Sequence, residues 1–193
     1  PSLAINSVKD LIALARAKPG ALNYASSSDG TPTHIAAELF KNMAGVDIVR
    51  IPFKGSGPAL TAIIANEIQV LMSSAGGMNP HIKAGRVRAL AVTSAKRSAS
   101  FPDLPTEAEA GEPGYEYGQM SGVFAPVKTP VAIVNKLSQE TVRAANMPEI
   151  KEKLFTAGVD AAPNSSPREF TAQIKSEISR LGKVIKDAGI RSE

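Results

Sequence analysis

Leu22-Asn23-Tyr24-Ala25-Ser26-Ser27-Ser28-Asp29-Gly30-Thr31-Pro32-Thr33-His34 sets hydroxyls and a glycine between a short apolar run and a segment of helical apolar spacing that ends near Ala44. This order reads as a strand over Leu22 to Ala25, a polar loop, and a helix with Ile35, Ala36, Leu39, Phe40 and Met43 on one face. A helix start leaves about four backbone N–H groups without intrahelical partners, and the macrodipole puts roughly half a positive charge there. The loop therefore reads as a cradle for an anion such as a carboxylate. Gly30 permits positive φ and close approach, Thr31 suits the N-cap and Pro32 the first turn, and Ser26, Ser27 and Ser28 offer hydroxyl donors. The same residues are ordinary turn and cap formers, and His34 either donates to a ligand or bonds a neighbouring carbonyl. Composition alone leaves both readings open.

Working outward, Ser7 to Ala17 carries Val8, Leu11, Ile12, Leu14 and Ala15 at helical spacing, with Ser7 and Asp10 placed as a capping pair and Pro19-Gly20 as the stop. Downstream, Val46 to Ile51 alternates as a strand. Lys54-Gly55-Ser56-Gly57-Pro58 turns into a helix through Leu60, Ile63 and Ile64, and Ile68 to Met72 reads as the next strand. A loop from Ser73 to Met78, a short helix containing Pro80, His81 and Ile82, and a strand over Arg86 to Thr93 follow. Strands alternating with helices predict an α/β fold with a mainly parallel, doubly wound sheet, and such sheets bind ligands beyond the carboxyl ends of their strands. Those ends carry the serine loop, Phe53-Lys54-Gly55-Ser56, and Ser73-Ser74-Ala75-Gly76-Gly77. Lys54 either neutralises an anion or is a solvated lysine, and Ser73 and Ser74 either touch a ligand or turn the chain.

Residues 94–113 read as a Pro-containing connection with a helical piece around Thr106 to Ala110. A strand over Tyr115 to Phe124 enters a stiff linker, Ala125 to Pro130. Helices over Val131 to Ala145 and Pro148 to Ala157, a short strand near Val159 to Ala162, and a helix from Ser166 to about Ala188 complete the chain. The last helix carries Phe170, Ile174, Ile178, Leu181 and Ile185 on one face, a stripe expected to pack on its own domain.

The chain has 193 residues, 43% hydrophobic and 21% charged, enough for one large or two small domains. No apolar run reaches the roughly 18 residues of a membrane span. The net charge of +4 is small, acids and bases are interleaved as in Lys151-Glu152-Lys153, and aromatics are only 5%, so nucleic acid is not an expected partner. With no cysteine, disulfides, cysteine-ligated metal sites and thiol catalysis are excluded. Walker A, H-E-x-x-H, G-x-G-x-x-G and G-x-S-x-G patterns are absent, and no cofactor is implied.

Ser7-Val8-Lys9-Asp10-Leu11-Ile12-Ala13-Leu14-Ala15, Lys18-Pro19-Gly20, Leu22-Asn23-Tyr24, Gly30-Thr31 and His34 together resemble the Bug or TctC family of extracytoplasmic solute receptors. Pro52-Phe53-Lys54-Gly55, Pro80-His81-Ile82-Lys83-Ala84-Gly85, Arg88 to Thr93, Arg97, Pro102-Asp103-Leu104-Pro105-Thr106, Gly122-Val123, Ala125-Pro126 and Thr129-Pro130 continue the resemblance in order over nearly the whole chain.

The resemblance implies a type II periplasmic-binding-protein fold, in which two α/β domains close on a small carboxylate. It also implies a periplasmic location and delivery of the ligand to the membrane subunits of a tripartite tricarboxylate transporter, without catalysis. Residues 1–123 would be the family's second domain, and 124–193 the C-terminal part of an incomplete first domain, since the family's N-terminal stretch with its Pro-Pro-Gly-Gly loop has no counterpart here. That C-terminal part would expose apolar surface and is expected to dimerise or swap.

The candidate ligand-binding residues at the strand ends are Ser26, Ser27, Ser28, Gly30, Thr31, His34, Lys54, Gly55, Ser73 and Ser74. Ser28 stands where many members have glycine, which adds a hydroxyl and narrows the loop; Ser73 stands where an acid often meets an amino group, so amine-bearing ligands are less expected; and Met120 stands where tryptophan is common, which removes an aromatic wall. Two other classes are weighed beside this one. A hydrolase would use the serines and His34, and a sensing module would present itself to a membrane kinase.

Overall fold

The computed structural model describes residues 3–159 and 166–190. Its sheet has three parallel strands in the order β2-β1-β3: β1 (Asn23–Ser26) at the centre, β2 (Val49–Pro52) and β3 (Val70–Leu71) on either side. Helices α1 (Val8–Ala17), α2 (Pro32–Ala44) and α3 (Ser56–Ile64) connect and cover them.

Successive side chains of a strand face opposite ways, and β1 uses both faces. Tyr24 enters the main core with Val8, Leu11, Ala37, Phe40 and Ile48, whereas Ala25 enters a second, smaller core with Ala59, Ala62 and Ile68 beneath α3. The doubly wound arrangement predicted from strand and helix alternation is thus present, in a small version.

The local signals at the first helix form as read. Ser7 Oγ accepts from the Asp10 N–H at 3.1 Å, while the Asp10 carboxylate accepts from the Asn6 N–H, one residue before the cap. α2 ends at Gly45, whose φ of 60° is the left-handed conformation that glycine adopts without a Cβ penalty.

Two predicted strands do not form. The segment Arg86 to Thr93 makes a single bridge, Val92 with Thr106, held by Val92 N–H to the Pro105 carbonyl and Glu107 N–H to the Val92 carbonyl, both at 2.9 Å. Its would-be partner turns into helix α5 (Glu107–Ala110) at Thr106, which ends the pairing after one residue. Tyr115 to Phe124 is likewise not a strand. Tyr115 and Tyr117 alternate into the core as a strand would, but the backbone hydrogen bond of this stretch to an extended neighbour is a single one among the described residues, the Tyr117 N–H to the Thr93 carbonyl, 2.7 Å. Inward alternation fixes an extended chain; a ladder also needs a continuous partner. Of the strand expected near Val159 to Ala162, all but Val159 lies outside the described residues.

Helix α4 (Ala75–Lys83) follows β3, and α6 (Val131–Ala145), α7 (Pro148–Thr156) and α8 (Pro167–Asp187) form the C-terminal part. α8 lies on α2, with Leu181 and Val184 against the main core and Arg180 Nη1 donating to the Glu116 carbonyl at 2.6 Å. None of α6, α7 and α8 has a buried residue among those described. Val123, Phe124, Val127, Val131, Ile133, Leu137, Phe155 and Ile178 are exposed.

Glu107 is buried beside Tyr115, and desolvation, with Glu112 adding repulsion, pushes its carboxyl up to about 7 from 4.5. The folded state therefore holds this proton more tightly than the unfolded chain. Its contribution is complete below pH 4.5 and is lost as pH rises through 7. Urea denaturation of Glu107→Gln between pH 5 and pH 8 is expected to show on the order of 2–3 kcal/mol less decline than the parent. Parallel pH profiles would contradict the assignment.

Candidate functional site

Because the three strands are parallel, the loops after Ser26, Pro52 and Leu71 leave the same edge of the sheet. The predicted serine loop, the Lys54-Gly55 turn and Ser73-Ser74 are therefore brought to one end of the fold. The first two are tied directly, with the Phe53 N–H donating to the Ser26 carbonyl at 2.8 Å.

Within the serine loop the residues take different roles. Gly30 has φ of 69°, as read, and its N–H donates to Nδ1 of His34 at 3.3 Å. Pro32 opens α2. Thr31 stands at the N-cap, yet its hydroxyl does not cap the helix. It donates to the Ser28 carbonyl at 2.7 Å, closing the loop on itself. The first turn of α2 is thus left without a side-chain cap. Ser26 is buried, its hydroxyl donating to the Ser27 carbonyl and accepting from Arg50, so it braces the loop from inside; Ser27 is half-buried and Ser28 exposed.

Arg50 is the residue the sequence reading missed. It lies opposite Tyr24 in the β1–β2 register, and its guanidinium reaches across the end of β1. Nε donates to Ser26 Oγ at 2.5 Å, Nη2 to the Ser27 carbonyl at 2.8 Å, and Nη1 to the Asp29 carboxylate. One signal pointed to it: a charged residue inside an otherwise apolar strand, just before the loop that neighbours the serines.

His34 is buried, and desolvation, followed by the nearby Arg50 charge, holds its imidazole below the usual 6.5. Its Nδ1 accepts from the Gly30 N–H, so this nitrogen bonds no carbonyl; the sequence had left a ligand and a neighbouring carbonyl open as partners of His34. Below the site, Tyr24 donates to Glu38 Oε1 at 2.5 Å, and Glu38 also accepts from Lys41 Nζ at 2.8 Å, which ties β1 to α2.

The other two loops are more open. Lys54 is exposed, and Gly55, with φ of 96°, precedes α3 as its N-cap. Ser73 and Ser74 are exposed, and Ser74 occupies the N-cap of α4 without a side-chain cap bond. The end of α7 rests on this helix start: a Cβ on Gly76 would lie 2.1 Å from the Ala157 carbonyl oxygen. Surface hollows of about 510 Å³, along α7 at Glu149, Glu152 and Lys153, and about 180 Å³, between α2 and α8, are lined by residues outside the serine loop. Among the described residues no group of three or more His, Asp or Glu is placed to hold a metal ion.

Residues 1–190 match the family described as "Tripartite tricarboxylate transporter family receptor". The chain belongs to this family of TctC receptors. Among curated relatives, the "UPF0065 protein in tcbD-tcbE intergenic region" of Pseudomonas sp. (strain P51) is 37% identical over 179 residues, covering 92% of this chain and 53% of the relative. Among solved structures, R. palustris Rpa4515 with adipate superposes with a TM-score of 0.87 at 39% identity, over 98% of this chain and 63% of that one. The periplasmic binding protein BugD superposes with a TM-score of 0.85 at 27% identity, over 100% of this chain and 64% of that one. This TctC chain thus has the periplasmic-binding-protein fold, and it spans about half to two-thirds of the length of these relatives. The family is thus one of receptors, and the BugD neighbour is a periplasmic binding protein.

Since the folded state disfavours the charged imidazole, His34 makes stability fall as pH drops below about 6.5, with no further loss once pH is below the depressed folded value. His34→Gln keeps a hydrogen-bond acceptor and is expected to flatten the denaturation midpoint between pH 7 and pH 5. An unchanged profile would show that His34 is protonated without penalty.

Proposed function

We propose that this TctC chain serves a periplasmic solute receptor whose serine loop grips one carboxylate of a small dicarboxylic acid and passes the molecule, chemically unchanged, to the membrane subunits of a tripartite tricarboxylate transporter. The observation that carries this reading is the uncapped start of α2 at the end of the central strand, with the Arg50 guanidinium beside it. The adipate bound to the 39% identical neighbour fits a ligand of this class. In this reading Gly30 and Thr31 shape the loop, Ser27 and Ser28 supply hydroxyls, Ser26 and His34 support it from within, and Lys54, Gly55, Ser73 and Ser74 border it. A charge-assisted hydrogen bond contributes about 1.5–3 kcal/mol, so two or three, less the cost of ordering, give roughly micromolar affinity in an enclosed cleft.

We read residues 1–123 as the second domain of the receptor and 124–193 as the C-terminal portion of the first. The exposed Phe124, Val127, Val131 and Leu137 support this division, since such side chains belong against further sheet, or against a second copy through dimerisation or swapping. The geometry does not favour hydrolysis. Among the described residues no serine hydroxyl bonds His34, whose Nδ1 is taken by the Gly30 N–H, and a nucleophile needs its base within about 3 Å.

An adipate titration followed by ¹H–¹⁵N NMR reads weak binding residue by residue. Amide shifts at Ser27 to His34 that saturate at millimolar adipate or below are expected. Shifts confined to other parts of the chain, or none, would overturn the reading.

A further inference from the structure

Arg50 is held by the interior of the loop on two arms and by an acid on the third. The bonds from Nε to Ser26 Oγ and from Nη2 to the Ser27 carbonyl are part-buried, whereas the contact between Nη1 and Asp29 is exposed, with 24% of the Arg50 side chain and 41% of the Asp29 side chain open to solvent. We propose that Asp29 is a resident substitute for the ligand's carboxylate: it occupies the outward arm of Arg50, and an incoming organic acid displaces it. This rests on the serine loop being the ligand site.

Three observations support an exchange of this kind. The two inner bonds are made by other acceptors, so releasing Asp29 leaves the guanidinium aimed and its fork ready for a carboxylate. An exposed ion pair contributes little net stability, so giving it up costs little. The backbone on both sides of Asp29 is fastened without its side chain, by the Thr31 hydroxyl on the Ser28 carbonyl and by the Gly30 N–H on His34, so the carboxylate can swing away by side-chain rotation alone.

Asp29 then acts as a threshold. A ligand binds only if it serves Arg50 better than Asp29 does, and it meets the repulsion of the displaced carboxylate. A dianionic acid that also engages the start of α2 passes this threshold more readily than a small monoanion. The tie between Arg50 and the loop interior makes Arg50 a ligand contact as well as a positioning residue.

The test is adipate affinity of the parent, Asp29→Asn and Arg50→Lys by the same NMR titration at low ionic strength, with acetate as the monoanion. Asp29→Asn is expected to bind adipate about fivefold more tightly, the equivalent of about 1 kcal/mol, and to bind acetate more tightly as well. Arg50→Lys keeps the charge but loses the fork, and is expected to bind more weakly than the parent. If the parent binds adipate at the serine loop and Asp29→Asn binds no more tightly, the exchange is wrong while the receptor reading stands. If neither binds at that loop, both fall.

Discussion

Parallel pairing of three strands puts Ser26, Pro52 and Leu71 at one edge, and everything in the candidate site depends on that shared polarity. An antiparallel neighbour would send Lys54 or Ser73 to the opposite end of the sheet. Once the edge exists, Arg50 can cross from the outer strand to the central one and fasten Ser26, Ser27 and Asp29 together. A loop of serines and a glycine has little intrinsic order, and a guanidinium with a fixed fork of donors supplies it. His34 completes the frame from the helix side by accepting from Gly30 while remaining uncharged.

The core under this edge is asymmetric, and the asymmetry follows from residue size along β1. Tyr24 fills the face shared with α1 and α2 and ends on Glu38, while Ala25 leaves room for α3 to come close through Ala59 and Ala62. A large residue at each position would hold both helices away. The small residue therefore lets one strand serve two layers, and the loop that follows is supported from both sides.

Much of this was legible in the sequence because it is encoded locally. Helical spacing, the Ser7–Asp10 cap, Pro19-Gly20 as a stop and the positive φ of Gly30 depend on nearby residues alone, and the ordered family resemblance added the fold. What was not legible depends on pairing. Arg50 gains its role only once Tyr24 is known to be its neighbour across the sheet, and the direction of the Ser26 and Thr31 hydroxyls depends on which acceptors the folded loop offers. The predicted strands at Arg86 to Thr93 and Tyr115 to Phe124 failed for a related reason: alternation shows which side chains are buried but says nothing of whether a partner continues alongside.

The central claim is that a carboxylate sits on the loop that Arg50 fastens. A crystal structure of the protein grown with adipate tests it most directly. The account expects one carboxylate within hydrogen-bond distance of the backbone N–H groups at the start of α2 and of the Arg50 guanidinium, with the Asp29 side chain turned away. Adipate found elsewhere, with the bonds from Arg50 to Ser26, Ser27 and Asp29 all intact, would contradict it.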